Sequence, residues 1–229
     1  MIRIENTDVY GFEAAIRGMR NPKNSWSKSD SCWEQIENPQ TMNTAKFQFH
    51  LGEADFELMK KLAAAGNDHG KFMRMINVTC DIVAPLYWWK EFDTYKVGTV
   101  ADSCSTMHKI ADKEFTLDDF SCEHIKNFYG VKDMPHGHEL ALFENGFRNT
   151  VANLNTARIL YLQTGDKQYW WQMIQLLPSS YNQRRTVQLN YQVLKNMYHA
   201  RRAHKLNEWH DFCHWIEELP YSELIIGEK

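Results

Sequence analysis

From Met173 to Trp209 the chain reads M-I-Q-L-L-P-S-S-Y-N-Q-R-R-T-V-Q-L-N-Y-Q-V-L-K-N-M-Y-H-A-R-R-A-H-K-L-N-E-W. Pro178 closes one helical stretch, because its ring removes a donor and clashes with the preceding turn. A turn then feeds a second, long helical segment that carries Asn190, Asn196, Arg201 and Arg202. Asn190 and Arg201 are eleven positions apart, which at about 1.5 Å per residue puts them on one helix face roughly 16 Å from each other. Amides and guanidinium groups on one rigid element suit base edges and phosphates. The plainer reading of the two arginines is a helix C-terminus, whose dipole favours cations.

Upstream, Thr164-Gly165-Asp166 marks a turn and residues 112–160 are rich in helix, interrupted at Gly130, Pro135 and Gly137. The block L-Y-W-W-K-E-F-D-T-Y-K from Leu86 mixes aromatic and charged residues, unlike a plain core strand or a solvated helix. Phe72, Ile76, Val78, Cys80 and Ile82 alternate with polar residues, the period of a half-buried strand that Pro85 ends. Arg74 interrupts its apolar face. Glu53 to Ala65 reads as a helix with a Phe56, Met59, Leu62, Ala63 stripe and a Gly66-Asn67 stop. Ile2–Tyr10 and Phe47–Leu51 read as strands. Gly11 to Met19 reads as a helix facing inward through Phe12, Ala15, Ile16 and Met19, and a polar loop fills 20–31. No repeat, low-complexity tract or linker divides residues 1–229, so the expectation is one α+β domain with helices outnumbering strands.

A chain of 229 residues with 43% hydrophobic and 13% aromatic content is a folded one. Its formal charge of −3 gives no electrostatic case for general nucleic-acid binding. No apolar run approaches the roughly 20 residues that span a bilayer, and no signal-peptide core opens the sequence. Five dispersed cysteines, an odd number, point to reduced thiols and a cytoplasmic setting. No C-x-x-C pair suggests zinc.

Three blocks occur in the order seen in the flavin-dependent thymidylate synthases, which the chain resembles as a divergent relative. The first, K-L-A-A-A-G-N-D-H-G-K-F-M-R-M-I-N-V from Lys61 to Val78, is similar to that family's helix, Gly-containing turn and His-Phe entry to a strand. The second, Ala84 to His108, lies where the family has R-H-R-x-x-S-x-N-E-x-S-x-R-Y. Here Thr94, Tyr95 and Lys96 take the R-H-R positions, Thr99 the first serine, Asp102 the glutamate, and Ser103, Cys104 and Ser105 the second serine. Met107 or His108 falls where the motif ends in Arg-Tyr. The third, Leu176 to Trp209, follows the family's L-P, Y-T, Asn-x-Arg and later Arg.

The resemblance implies a central, mostly antiparallel sheet covered by several helices, with a long C-terminal helix. It implies FAD-dependent methylation of dUMP or a related pyrimidine nucleotide, with methylenetetrahydrofolate and NADPH as co-substrates, in a homo-oligomer, a tetramer, with sites built from several subunits. Residue by residue, Arg201 or Arg202 matches the catalytic arginine facing the pyrimidine, with Ser103, Cys104, Ser105 and Arg201 binding substrate. His69, Lys96, Asp102, Asn190 and Asn196 match the cofactor-binding positions, and Arg74 or Lys90 are further cations for a flavin. The alternative is a catalytically eroded nucleotide-binding protein on the same fold, which Thr94-Tyr95-Lys96 in place of R-H-R favours, because lysine offers a point charge where arginine offers a fork. A purely structural use of the scaffold is a third reading.

The remaining signals read more plainly. The Ser103–Thr106 run is either a phosphate-holding loop or a capping turn. Cys104 lacks the P-C-H context of the conventional thymidylate synthase nucleophile. His210 and His214, four apart, and His136-x-His138 have no zincin glutamate between them, and no metal is expected. Trp88-Trp89 and Trp170-Trp171 are packing residues before they are stacking platforms.

Overall fold

The computed structural model of the chain describes residues 2–36, 46–129 and 140–227. In chain order the first half runs β1 (Arg3–Tyr10), α1 (Phe12–Arg20), β2 (Cys32–Ile36), β3 (Lys46–His50), α2 (Glu53–Ala64), β4 (Asn77–Pro85), α3 (Leu86–Phe92), β5 (Val100–Ser103) and α4 (Thr106–Lys109). The second half runs β6 (Asn127–Tyr129), β7 (Leu140–Leu142), α5 (Phe143–Thr164), α6 (Lys167–Leu176), β8 (Asn182–Asn190), α7 (Tyr191–Arg201), α8 (Asn207–Glu217) and α9 (Glu223–Ile226). The main, largely antiparallel sheet has strand order β1-β4-β8-β5, and two small hairpins pair β2 with β3 and β6 with β7. The architecture is α+β, as the sequence predicts. Among the described residues no helix is long and apolar enough to cross a membrane. The chain divides into two compact units, one of Met1–Arg3, Ile82–Thr94 and Asp102–Arg185, the other of Ile4–Asp81, Tyr95–Ala101 and Thr186–Lys229.

In the second unit the stripe predicted for the first helix is buried whole, and that of the second in part, with Phe56 and Leu62 half-buried and Asp55 buried beside it. Helix α1 buries Phe12, Ala15, Ile16 and Met19, and α2 buries Met59 and Ala63. Helices α7, α8 and α9 add Leu194, Met197, Trp209, Phe212, Ile216, Leu224 and Ile225. Tyr191 is wholly buried, with its hydroxyl donating to the Pro220 carbonyl and its ring edge-on to Phe12 at 5.9 Å. Arg20 and Asp55 are buried with this core as an ion pair. Arg20 Nε donates to Asp55 Oδ1 at 2.6 Å, and the Ser29 and Ser31 hydroxyls donate to Asp55 Oδ2 at 2.6 and 2.7 Å. One carboxylate thereby ties the 20–31 loop to α2.

The first unit is built on α5 and α6, whose apolar faces meet around Phe115, Phe120, Val151, Leu154, Ala157 and Met173. Gly165, at φ +67°, ends α5, and Asp166 caps α6 by accepting from Gln168 N–H at 2.9 Å. The aromatic block from Leu86 is the helix α3, with Trp88, Trp89 and Phe92 buried. The Trp89 indole donates to the Gln183 carbonyl at 3.0 Å. Trp88 and Trp89 are therefore packing residues.

Several local readings change. Of residues 112–160, read as rich in helix, the described ones before Phe143 hold a 3-10 turn at Leu117–Asp119 and the strands β6 and β7, and α-helix begins with α5. The long helix predicted across the third block divides, because Asn182–Asn190 is the strand β8 and helix begins only at Tyr191. Gln183, Val187 and Leu189 point inward while Arg184, Thr186 and Gln188 point out, so a period of two is present but hidden by polar residues. Strand β4 starts at Asn77, not at Phe72, because Gly70–Met75 is a 3-10 turn. Arg74 is exposed on that turn and interrupts no sheet face. Strand β2, unforeseen, pairs Trp33 with Phe49 across its hairpin.

Candidate functional site

In the second unit, chemistry gathers along α7. Asn190 is the last residue of β8 and the cap of α7, its Oδ1 accepting from Val193 N–H at 3.0 Å. It thus lies outside the helix face on which the sequence reading placed it. The loop Tyr95–Ala101 follows α7 closely. Gly98 has φ +79°, and a Cβ there would lie 2.7 Å from Asn190 Nδ2 and 3.1 Å from Val193 Cγ2. Glycine is required at that approach on both counts. At the other end of the helix, Arg201 Nε donates to the Tyr95 hydroxyl at 2.9 Å. The guanidinium carbon lies 4.8 Å from the Trp209 ring centre and 5.5 Å from that of Tyr95. Two aromatic rings hold the cation in one orientation, with quadrupole attraction added to the hydrogen bond. On the same loop the Thr99 hydroxyl is buried without a hydrogen-bond partner among the described residues, while Lys96 is exposed.

A second cluster lies on the next face of α7. Gln192, 6% exposed, donates to the side-chain oxygens of Asn67 and Asn196, each at 3.2 Å. Exposed His69 precedes Gly70, whose Cβ position lies 3.5 Å from Gln192 Oε1. Lys195 donates to the Ala63 carbonyl at 2.7 Å, and burial lowers its pKa. Asn67 and Asn196 are therefore linked through Gln192, with His69 on the adjoining turn, and the loop that carries Lys96 reaches Arg201 through Tyr95 and Asn190 through Gly98. Arg202 stands exposed at the helix end, its N–H bonded to the Tyr198 carbonyl at 2.9 Å.

In the first unit, Asp102 and Ser103 are exposed on β5. Cys104 is stapled to β8 by its N–H on the Arg184 carbonyl at 3.0 Å and by Gln183 Nε2 on its own carbonyl at 2.8 Å. Ser105 accepts from His108 N–H at 3.1 Å and so caps α4. Cys104 and Ser105 also line an open cleft of about 990 Å³ with Lys109, Lys113, Tyr181 and Arg184. The hydrogen bond between Lys113 and Asp119 raises the lysine pKa, and burial raises that of Tyr181. The lining is mixed in charge, with Asp118, Asp119 and Glu123 beside the cations, Lys113 paired with Asp119 and Lys109 with Asp112.

Sequence reasoning missed Tyr95 as the partner of Arg201, Trp209 as its clamp, Gln192, and the cations of the cleft. Lys109 and Lys113 carry a readable signal, being four apart; the Tyr95–Arg201 bond, between residues separated by 106 positions, carries none. His210 Nε2 lies 2.7 Å from the His204 carbonyl and His214 lies 3.5 Å from Glu217. Among the described residues no group of three His, Cys, Asp or Glu is set for a metal ion. His136 and His138 lie outside the described residues.

No family model and no curated protein matches the sequence. Solved structures do. The chain is similar to the flavin-dependent thymidylate synthase ThyX of Helicobacter pylori complexed with FAD and dUMP. The TM-score is 0.65 at 16% identity, covering 98% of both chains. It is also similar to the UMP/dUMP methylase PolB of Streptomyces cacaoi bound with 5-Br dUMP. There the TM-score is 0.56 at 11% identity, covering 97% of this chain and 93% of that one. At these identities it is architecture that is shared, and the chain has the fold of the flavin-dependent thymidylate synthases.

Proposed function

We propose that the protein methylates dUMP, or a related pyrimidine nucleotide, using FAD, methylenetetrahydrofolate and NADPH, as a homo-oligomer. The observation that carries this reading is Arg201, held by Tyr95 and Trp209 at the end of α7 on this fold. A guanidinium fixed in place stabilises negative charge developing on a pyrimidine carbonyl without reorganising at the moment of reaction. Arg202 is the adjacent second cation. Ser103, Cys104 and Ser105 are assigned the nucleotide phosphate, helped by Lys109 and Arg184 along the cleft wall.

The residues present suit a flavin dinucleotide. Thr99 offers a hydroxyl that no described residue satisfies, Lys96 an exposed ammonium for a pyrophosphate, and Asn190, Asn196 and His69 donors and acceptors for ring edges. Asp102, in the first unit, is proposed by itself as an acidic cofactor-binding position. When bound, reduced flavin supplies the hydride. The chain's share is to orient the ring and the base and to balance their charge.

The test is the purified protein's visible spectrum together with its turnover of dUMP in the presence of the folate and NADPH. A flavin band and turnover are expected, and Arg201→Ala should reduce turnover by about 10²–10³-fold, the scale for losing one preorganised donor to developing charge. A colourless protein that takes up no added FAD removes the enzyme reading. The substitution of R-H-R by Thr94-Tyr95-Lys96 favours a second reading, a nucleotide-binding protein whose flavin chemistry has eroded. That protein would be stabilised against heat by dUMP without turning it over, and stabilisation that survives Arg201→Ala would remove both readings of α7.

A further inference from the structure

A pocket of about 330 Å³ in the second unit takes no part in the site above. It opens where β1 turns into α1, and its walls are aromatic: Tyr10, Phe12, Trp33 and Phe49. The Phe12 and Phe49 rings lie 15° from parallel, and Trp33 meets Phe49 edge-on at 5.5 Å. The Trp33 indole N–H donates to Glu13 Oε1 at 2.8 Å, which fixes that ring and occupies the only carboxylate among the described residues that line the pocket. Tyr10 and Trp33 nonetheless keep 46% and 53% of their surface exposed.

The lining also carries polar groups. Arg17 lines the pocket without an ionic partner among the described residues. The first turn of α1, also in the lining, has no side-chain cap. The floor is rigid, because a Cβ at Gly11 would lie 2.1 Å from the Met75 carbonyl oxygen. Aromatic walls with a guanidinium in the lining suit an amphipathic ligand, and the volume falls at the lower edge of the ~300–1,000 Å³ typical of small-molecule sites.

We propose that this pocket binds a planar aromatic monoanion of one or two rings, its ring between Trp33 and Tyr10 and its carboxylate on Arg17. The site is separate from the one assigned to the nucleotide. Calorimetric titration and ligand-observed NMR on the full chain, with 2-naphthoate as the probe, test it. Naphthoate should bind, neutral 2-naphthamide should bind roughly tenfold more weakly for want of the charge-assisted hydrogen bond, and Arg17→Gln should remove that preference. Trp33→Ala should weaken both probes alike, and dUMP should displace neither. Absence of naphthoate binding overturns the proposal. So does binding that is indifferent to both substitutions in variants with wild-type unfolding curves. Displacement by dUMP would merge the pocket with the nucleotide site, and substitutions that change only the oligomer mass would make it a subunit contact.

Discussion

Asp55 shows what one side chain can organise. It is fully buried, and it accepts from Arg20, from two serine hydroxyls and from the N–H groups of Asp30 and Ser31 at 3.3 and 3.2 Å. Burial alone would raise its pKa, but the hydrogen bonds from Ser29, Ser31 and Arg20 outweigh that and hold it below the ordinary 3.8. Its contribution to stability is intact above 3.8 and fades as the pH falls below that value. Asp55→Asn leaves a buried guanidinium without its counter-charge, so denaturant unfolding should show a loss of about 3–5 kcal/mol at neutral pH. The variant should also lose the corresponding part of the acid sensitivity. A variant as stable as wild type would show that the pair adds nothing. Neither Asp55 nor Arg20 was legible in advance: an acidic residue in a first helical turn reads as a dipole partner, and nothing local reveals an arginine 35 positions away. Arg201 is the converse case. Its charge on a helix was visible, while its orientation depends on Tyr95 and Trp209, which only tertiary packing brings to it.

The junction of β8 and α7 sets where the amides and guanidinium of the candidate site stand. Asn190 ends the strand and caps the helix with one oxygen, and Gly98 brings the Tyr95–Ala101 loop against it. Asn190→Ala should cost about 1 kcal/mol, as loss of a helix cap does. Gly98→Ala should cost more, because its φ of +79° strains any other residue and its Cβ would displace the Asn190 amide. If the loop orients Arg201, the second variant should also weaken dUMP binding through Tyr95, measured as a smaller thermal shift. An unchanged shift with lowered stability would confine the loop to a structural role. Legibility at this scale followed hydrophobic contrast. Helices α1 and α2 and most of β4 announce themselves because apolar residues recur at the right period. Strand β8 does not, since Gln183 and Arg185 take inward or half-buried positions and find polar partners there, Arg185 with Gln183 Oε1 at 3.0 Å and Asp93 at 2.7 Å. Helix α3 was obscured in the opposite way, by tryptophans on successive positions.

Across the whole chain the buried ionisable groups impose a stability limit at alkaline pH. Burial pushes the Cys80 thiol up to about 12, with Asp81 adding to it, and the Cys213 thiol up to about 11. Burial also raises Tyr191 beyond the ordinary phenol range, and raises Cys122 and Tyr181 in the other unit. Each of these groups holds its proton more tightly when folded. The stability they confer is complete below the unfolded thiol value of 9.0 and is lost as the pH rises past it toward the folded values. With Cys80 and Cys213 ionising chiefly in the unfolded chain, the loss rises toward about 2.7 kcal/mol per pH unit, and Cys122 and the phenols add to it. Urea unfolding measured from pH 7 to 11 should therefore show a midpoint that is flat at first and then falls steeply. Cys80→Val, which keeps an apolar strand residue but removes one proton, should fall less steeply than wild type. Thiol labelling gives an independent reading of the same burial, since exposed Cys32 and Cys104 should react in the native protein and Cys80 and Cys213 only on unfolding. A midpoint that stays level through this range, or a valine variant with the wild-type slope, would mean that these thiols ionise alike in both states and that the buried core does not govern the alkaline limit.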